Sequence, residues 1–400
     1  MNDLTTIFPT PAIPLTPVLS KLPLNKKVRG KHTTASLLDA QSILHISSGR
    51  AGIALALECA KVTNADEVMI PAYHTDSMIA PVRRTGASPV FYRVKSDTDI
   101  DLADIQNKIT PDTKVVLVTH YFGFMQNLIP LRKLCDTHNL ILIEDCAHTF
   151  FGSLNEIAVG QIGDYAIASS MKFFPIYDGG LLVSRQHSLD GITLHSPPLT
   201  FQIKAALNIL ENSLKYQRFG LFGKILGGLL FIKSILWQAK KSISNNKRSS
   251  ADIGPASADG GYGLDEHWIH KFVSWPSNKI IARTDSQELV RKRRENYKEI
   301  VTALIGLPGC RPLHPMLPDG AVPMVCPIYV DNPQKHFTKL KLLGVPIWRF
   351  GEYLDPEIDE TLCKNSVELS AHIFQFPCHQ ELLSDELDWM IQTIKTQFEQ

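Results

Sequence analysis

Short runs of branched and aromatic apolar residues recur through the first half of the chain. Between them lie stretches in which apolar positions return every three or four residues. The runs at 44–47, 67–70, 89–94, 115–119, 140–144, 165–168 and 181–184 predict strands. The stretches at 50–62, 76–84, 102–109 and 128–138 have the spacing of helices with one buried face. Strand and helix alternate, which predicts an α/β fold with a mostly parallel sheet between helices. The run LILIE at 140–144 is apolar on both faces up to its closing Glu144, as a strand covered on both sides requires.

The rest of the chain is patterned differently. The first 40 residues carry prolines at 9, 11, 14, 17 and 23 and predict an extended arm packed on the body or on a second subunit. Residues 201–260 break the alternation with a helical insertion and a polar, Gly/Ser-rich loop. Its apolar run at 219–237, flanked by basic residues, is long enough to span a bilayer, but Lys224 and Lys233 interrupt it. At 100° per residue those lysines fall on opposite helical faces, which argues against a single span. A helix packed on the body or on a dimer mate, or one lying peripherally on the inner membrane face, fits the run better. A smaller α+β carboxyl domain is expected, with a helix at 283–305, strands at 324–330 and 345–348, and a closing helix at 385–398. The basic cluster from Arg291 to Arg294 reads as a solvated face. The expected division is therefore an arm at 1–40, a large domain at 41–200, the insertion at 201–260 and a small domain at 261–400.

Charge and cysteines exclude more than they identify. Lys plus Arg number 41 against 40 Asp plus Glu, and a net charge of +1 offers no field to draw the chain to nucleic acid. The seven cysteines, at 59, 135, 146, 310, 326, 363 and 378, form no CxxC pair. They predict a reducing compartment, no disulfide framework and no metal site. The amino-terminal segment MNDLTTIFPTP has neither a basic cluster nor an apolar core, so no secretion signal is expected and the cytoplasm is the expected location.

The chemistry concentrates between 140 and 180. Asp145 falls at the carboxyl end of the LILIE strand, where open α/β sheets collect ligands, and Lys172 follows 27 residues later in a loop before Asp178, Gly179 and Gly180. Taken singly, such an Asp is commonly a turn or helix cap and such a Lys commonly solvated. Together they suit pyridoxal phosphate, which needs an amine to hold its aldehyde and a carboxylate to face its ring nitrogen. An amine beside a cationic cofactor is pushed toward its neutral form and becomes a nucleophile and proton shuttle. Ser169 is placed to hold a phosphate oxygen, and Gly49 opens a predicted helix whose free N–H groups favour an anion.

Six blocks in order, SSGRAG, IPAYHTDSMIAPVRRTGASPVFYRV, TKVVLVTHYFG, IEDCAHTFFG, GDYAIASSMK and DGG, resemble the DegT/DnrJ-type (StrS-like) sugar aminotransferases, a branch of the fold-type I pyridoxal phosphate enzymes. The resemblance implies that Lys172 holds the cofactor, Asp145 pairs with its ring nitrogen and His148 lies beside the ring. It implies phosphate donors at Gly49, Arg50, Ala51 and Ser169, a stacking ring at Tyr73 or His74, and Asn278 reaching into the site of a homodimer mate. FQFPCHQEL resembles a late block of the family, in which His379 has either a site role or a structural one. The activity implied is transfer of an amino group, from glutamate as the expected donor, to a nucleotide-linked keto-deoxy sugar, for polysaccharide, lipopolysaccharide or glycosylated-metabolite synthesis. The gap from Ser169 to Lys172 is three residues where the family usually has five. A desulfurase would want a histidine directly before the lysine, where Met171 stands. A non-catalytic or membrane-associated relative of the same fold is the other alternative.

Overall fold

The computed structural model describes residues 8–20, 34–220 and 263–399. The large domain comprises β1 (Ser42–Ile46), α1 (Gly49–Cys59), β2 (Glu67–Pro71), α2 (Asp76–Thr85), β3 (Ser88–Tyr92), α3 (Leu102–Lys108), β4 (Thr113–Thr119), α4 (Ile129–Thr137) and β5 (Ile141–Asp145). It continues through the short pair β6 (Ser153–Leu154) and β7 (Ile157–Ala158), then β8 (Tyr165–Ser169) and β9 (Gly180–Ser184). Seven strands form one sheet in the order β1-β9-β8-β5-β4-β2-β3. β9 is antiparallel to both its neighbours and the other six strands run one way. Val115 to Val118 and Leu142 to Ile143 have no exposed surface, as the lack of a polar face in these runs requires. The parallel register sets Thr119 opposite Asp145, and Asp145 opposite Ile167, which gathers these three at one end of the sheet.

Gly180 fixes how closely β9 passes the start of α1. A Cβ there would lie 2.3 Å from the Ser48 carbonyl carbon and 2.6 Å from the Gly49 nitrogen, both backbone atoms. Gly180→Ala is therefore expected to lower stability by about 3 kcal/mol and to displace the first turn of α1. Denaturant melts, with phosphate protection of the folded protein as a second readout, check this.

After β9, α5 (Leu199–Lys215) and α6 (Trp275–Ile281) pack together, with Phe201, Trp268 and Ile280 clustered beside Tyr177. Ser47 N–H donates to Lys271 O at 3.0 Å and Val273 N–H to His45 O at 3.2 Å. Residues 263–282, placed with the small domain by a boundary at 261, thus pack on the large one. From residue 221 the apolar run of 219–237 lies outside the described residues, among which no helix is long and apolar enough to cross a membrane.

The small domain holds α7 (Ser286–Leu304), β10 (Cys310–Pro312), β11 (Val325–Val330), α8 (Pro333–Leu342), α9 (Glu360–His372), β12 (Ile373–Pro377) and α10 (Ser384–Phe398). Its antiparallel sheet has the order β10-β11-β12. The strand expected at 345–348 is absent: only Trp348 bridges, to Gln375. Pro346 lacks the N–H a ladder needs, and β12 takes the place beside β11. The helix expected from 283 starts at Ser286, because the Asp285 side chain accepts from Gln287 and Glu288 N–H. Its basic cluster is not one solvated face. Arg291 is exposed between Glu288 and Glu295, whereas Arg293 is fully buried.

The arm crosses between the domains. Ile13 lies in the small-domain core and Leu19 joins the cluster of Phe201 and Trp268. His379 is structural here: it is buried, and its Nε2–H donates to Pro14 O at 3.0 Å.

Candidate functional site

A cavity of about 470 Å³ opens where the carboxyl ends of β4, β5 and β8 meet the start of α1. Leu15 and Thr16 of the arm and residues 348–350 and 352 of the small domain complete its walls. Its size suits a small organic cofactor with part of a substrate.

Successive residues of a strand face opposite ways, and the end of β5 uses both faces. Glu144 points away from the cavity, accepting N–H bonds from Gly160, Ile162 and Gly163 at 3.2, 2.8 and 2.5 Å and one from His120 Nε2 at 3.0 Å. These bonds hold its carboxyl below the usual range, against the cost of burial. Asp145 points into the cavity. One of its oxygens accepts the Ala147 N–H at 2.9 Å, and burial raises its pKa against the pull of that N–H, of Lys172 and of His120. The Glu144 oxygens, with His120 and Cys146, also make the grouping of metal-ligand atoms found among the described residues. Both oxygens already accept hydrogen bonds, so the group is closed on itself.

β8 ends in Ser169, which lines the cavity, and Ser170–Lys172 then form a single 3-10 turn. The three-residue spacing is thus one tight turn that brings Lys172 back into the same cavity. Burial lowers the Lys172 amine to about 8, with Arg50 acting the same way and Asp145 against it. His148 lies on the cavity wall, and its Nδ1 accepts the Phe122 N–H at 3.4 Å, which leaves its proton on Nε2. Burial and the nearby Lys172 keep this imidazole neutral. Its ring meets Phe350 edge-on at 4.9 Å.

Ser48 caps α1, its Oγ accepting the Ala51 N–H at 3.3 Å. Gly49 and Arg50 in the first turn line the cavity, while Ala51, whose N–H is engaged, does not. The Arg50 Nη1 donates to Gly263 O at 2.6 Å.

Of the residues expected at the site, Asp145, His148, Ser169, Lys172, Gly49 and Arg50 are brought together. Tyr73 and His74 are not. Tyr73 is fully buried between Tyr121 and Phe350, with centroids 5.2 and 5.0 Å away. His74 donates from Nδ1 to Pro71 O at 3.2 Å, accepts the Asp355 N–H on Nε2 at 3.1 Å and stacks on Phe91. Thr75 and Ser77, bonded to each other at 2.7 Å, take the cavity position after β2. The placement of Thr75 just past a strand's carboxyl end was a legible signal for it; Phe350 and Thr16 had none. Asn278 is exposed on α6 and lies outside this chain's cavity.

The donors present fit pyridoxal phosphate. A helix start with Ser169 suits the phosphate, a buried carboxylate with one N–H partner suits a protonated ring nitrogen, and a desolvated amine suits the aldehyde.

Residues 31–195 match the DegT/DnrJ/EryC1/StrS aminotransferase family. The chain is 31% identical over 153 residues to GDP-perosamine synthase of Vibrio cholerae, covering 38% of this chain and 42% of that one. It is 30% identical over 155 residues to dTDP-4-dehydro-2,3,6-trideoxy-D-glucose 4-aminotransferase of Saccharopolyspora spinosa, covering 38% and 40%. The matched part is thus about two-fifths of these relatives' length. An aminotransferase structure from Psychrobacter cryohalolentis shares the fold over 91% of this chain and 88% of that one, at TM-score 0.61 and 17% identity.

Proposed function

Taking as premise that residues 31–195 are of the DegT/DnrJ/EryC1/StrS aminotransferase family, we propose that the chain is a pyridoxal-phosphate-dependent aminotransferase. It takes an amino group from an amino acid, glutamate in our reading, and gives it to a nucleotide-linked keto-deoxy sugar. The product is an amino sugar for a surface polysaccharide, a lipopolysaccharide or a glycosylated metabolite. The observation that carries this reading is the convergence of Asp145 and Lys172 on one cavity that also holds His148, Ser169 and the start of α1. The nucleotide-linked sugars in the names of relatives support the acceptor class.

When bound, the cofactor would supply the carbonyl that takes up the amino group and a ring that withdraws electrons. Asp145 would hold the proton on the ring nitrogen. Gly49, Arg50 and Ser169 would bind the phosphate. Lys172 would take the proton from the donor's alpha carbon, a role that requires its neutral form. His148, neutral and held between Phe122 and Phe350, would orient the ring without adding charge.

Leu199, Ile203 and Trp275 are 74, 53 and 64% exposed on α5 and α6, the helix that carries Asn278. This apolar face supports a homodimer in which Asn278 serves the mate's site. The cytoplasm is the location proposed with this activity, from seven scattered cysteines with no CxxC pair. Contact with the inner membrane face through 219–237 rests on that sequence alone.

The reaction is tested with α-15N-glutamate and a panel of GDP-, dTDP- and UDP-linked keto sugars. Appearance of 15N in the sugar is the expected result, and donor consumption with no member of the panel aminated would contradict the acceptor class. The pH dependence follows from Lys172. With its amine lowered from 10.5 to about 8, about a tenth of the molecules hold it neutral at neutral pH. The rate of cofactor capture is therefore expected to rise with pH, pass its midpoint near 8 and level off above it, as stopped-flow absorbance would record.

A further inference from the structure

Arg293 of α7 has no exposed surface and, among the described residues, no carboxylate among its hydrogen-bond partners, although the Glu381 carboxylate acts on it through space. Burying a guanidinium is unfavourable enough to lower its pKa to about 10. Its donors are satisfied by neutral oxygens. Nε donates to Gln380 Oε1 at 2.8 Å, and Nη1 to Pro323 O and Met324 O, each at 3.1 Å. Nη2 donates to Lys172 O at 3.0 Å and to Phe173 O at 3.4 Å, and the guanidinium carbon lies 4.6 Å from the Phe173 ring centre. Gln380 adds a second bond to the same turn, from Nε2 to Phe173 O at 2.9 Å. Three of the five acceptors belong to the small domain and two to the turn that carries the amine.

We propose that Arg293 is a positioning residue: a planar cation that pins the backbone of Lys172 to the small domain and so fixes where the Lys172 amine stands in the cavity. It does not touch the reacting atoms. Only a fork of donors in a fixed plane serves Gln380, the Pro323–Met324 carbonyls and the lysine turn at once, and a lysine at this position would keep the charge without the fork. The proposal deepens the aminotransferase reading and rests on it for its catalytic consequence.

The amine faces Asp145 from β5, His148 from the following loop and Arg50 from α1. Arg349 and Glu352, from the small-domain wall, are paired with each other at 2.6 Å. None of these groups changes in Arg293→Lys. If the pin is lost, the turn relaxes outward, the amine regains water and its titration moves up toward that of an ordinary lysine.

The test is acylation of Lys172 in the cofactor-free full chain, followed by peptide mass spectrometry as a function of pH, for wild type, Arg293→Lys and Gln380→Leu. In Arg293→Lys the labelling midpoint is expected to rise by about one pH unit, and in Gln380→Leu by less, in protein that still melts cooperatively. In the cofactor-loaded enzyme the same variants should lower kcat for glutamate by about tenfold with KM within about twofold, because orientation and not binding is lost. A midpoint unmoved in folded Arg293→Lys overturns the proposal. If that variant does not fold, Gln380→Leu decides by the same shift. A wild type that binds no cofactor would sink the aminotransferase reading while the labelling midpoint still judges the pin.

Discussion

Lys172→Ala is expected to reduce amino transfer by at least about a thousandfold, the largest effect of any single substitution in the site. In the reaction proposed, this side chain would supply both the nucleophile that holds the cofactor and the base that moves the donor's proton, and loss of a general base alone removes about 10² to 10⁴ of rate. The Lys172 backbone and its contacts to Arg293 are left in place, so the variant should fold. Glutamate-dependent formation of 2-oxoglutarate measures the loss. Partial recovery with added small primary amines would assign it to the missing amine rather than to a disturbed turn.

The second large effect is expected for Asp145→Ala, a fall of about 10² to 10³ in kcat. Asp145 is the carboxylate that would hold the proton on the ring nitrogen of the bound cofactor, and without it the electron-withdrawing chemistry that the cofactor would supply there would be weakened. Stability should move the other way. Asp145 is buried, its pKa is raised by that burial, and one N–H is its hydrogen-bond partner. Removing it relieves an unfavourable burial, so the variant is expected to melt no lower than wild type. By contrast Glu144, one residue earlier, holds three N–H groups and His120, so Glu144→Ala should destabilise the fold without this gain. The pair of melting curves separates a functional carboxylate from a structural one.

The sheet and the central pair were legible in the sequence because local signals and tertiary requirements agree there. LILIE is apolar on both faces up to Glu144, and β5 is buried from Leu142 onward. Asp145 follows at the strand end, where the parallel register sets it between Thr119 and Ile167, both of which line the cavity. Tyr73 and His74 were expected to supply a stacking ring from the place of IPAYHT in the family resemblance, and neither lines the cavity. The chain instead buries both under Phe350, Phe91 and Asp355, contacts contributed in part by residues nearly 300 positions away. The small domain was read less well for physical reasons of the same kind. Pro346 stops a run that otherwise looks like a strand. Arg293 stands in a basic cluster that suggested solvent, although Leu289, Arg293, Tyr297, Ile300 and Leu304 share one helical face and are all buried. Helical spacing carried that information, and the charge concealed it.

Above all, we propose that pyridoxal phosphate is held at Lys172. Borohydride reduction of the cofactor-loaded wild type, followed by peptide mapping, tests it most directly. A cofactor-derived mass on the peptide containing Lys172, absent from Lys172→Ala, is the expected result. No attachment, or attachment to another lysine, would contradict the account and favour a non-catalytic relative of the fold.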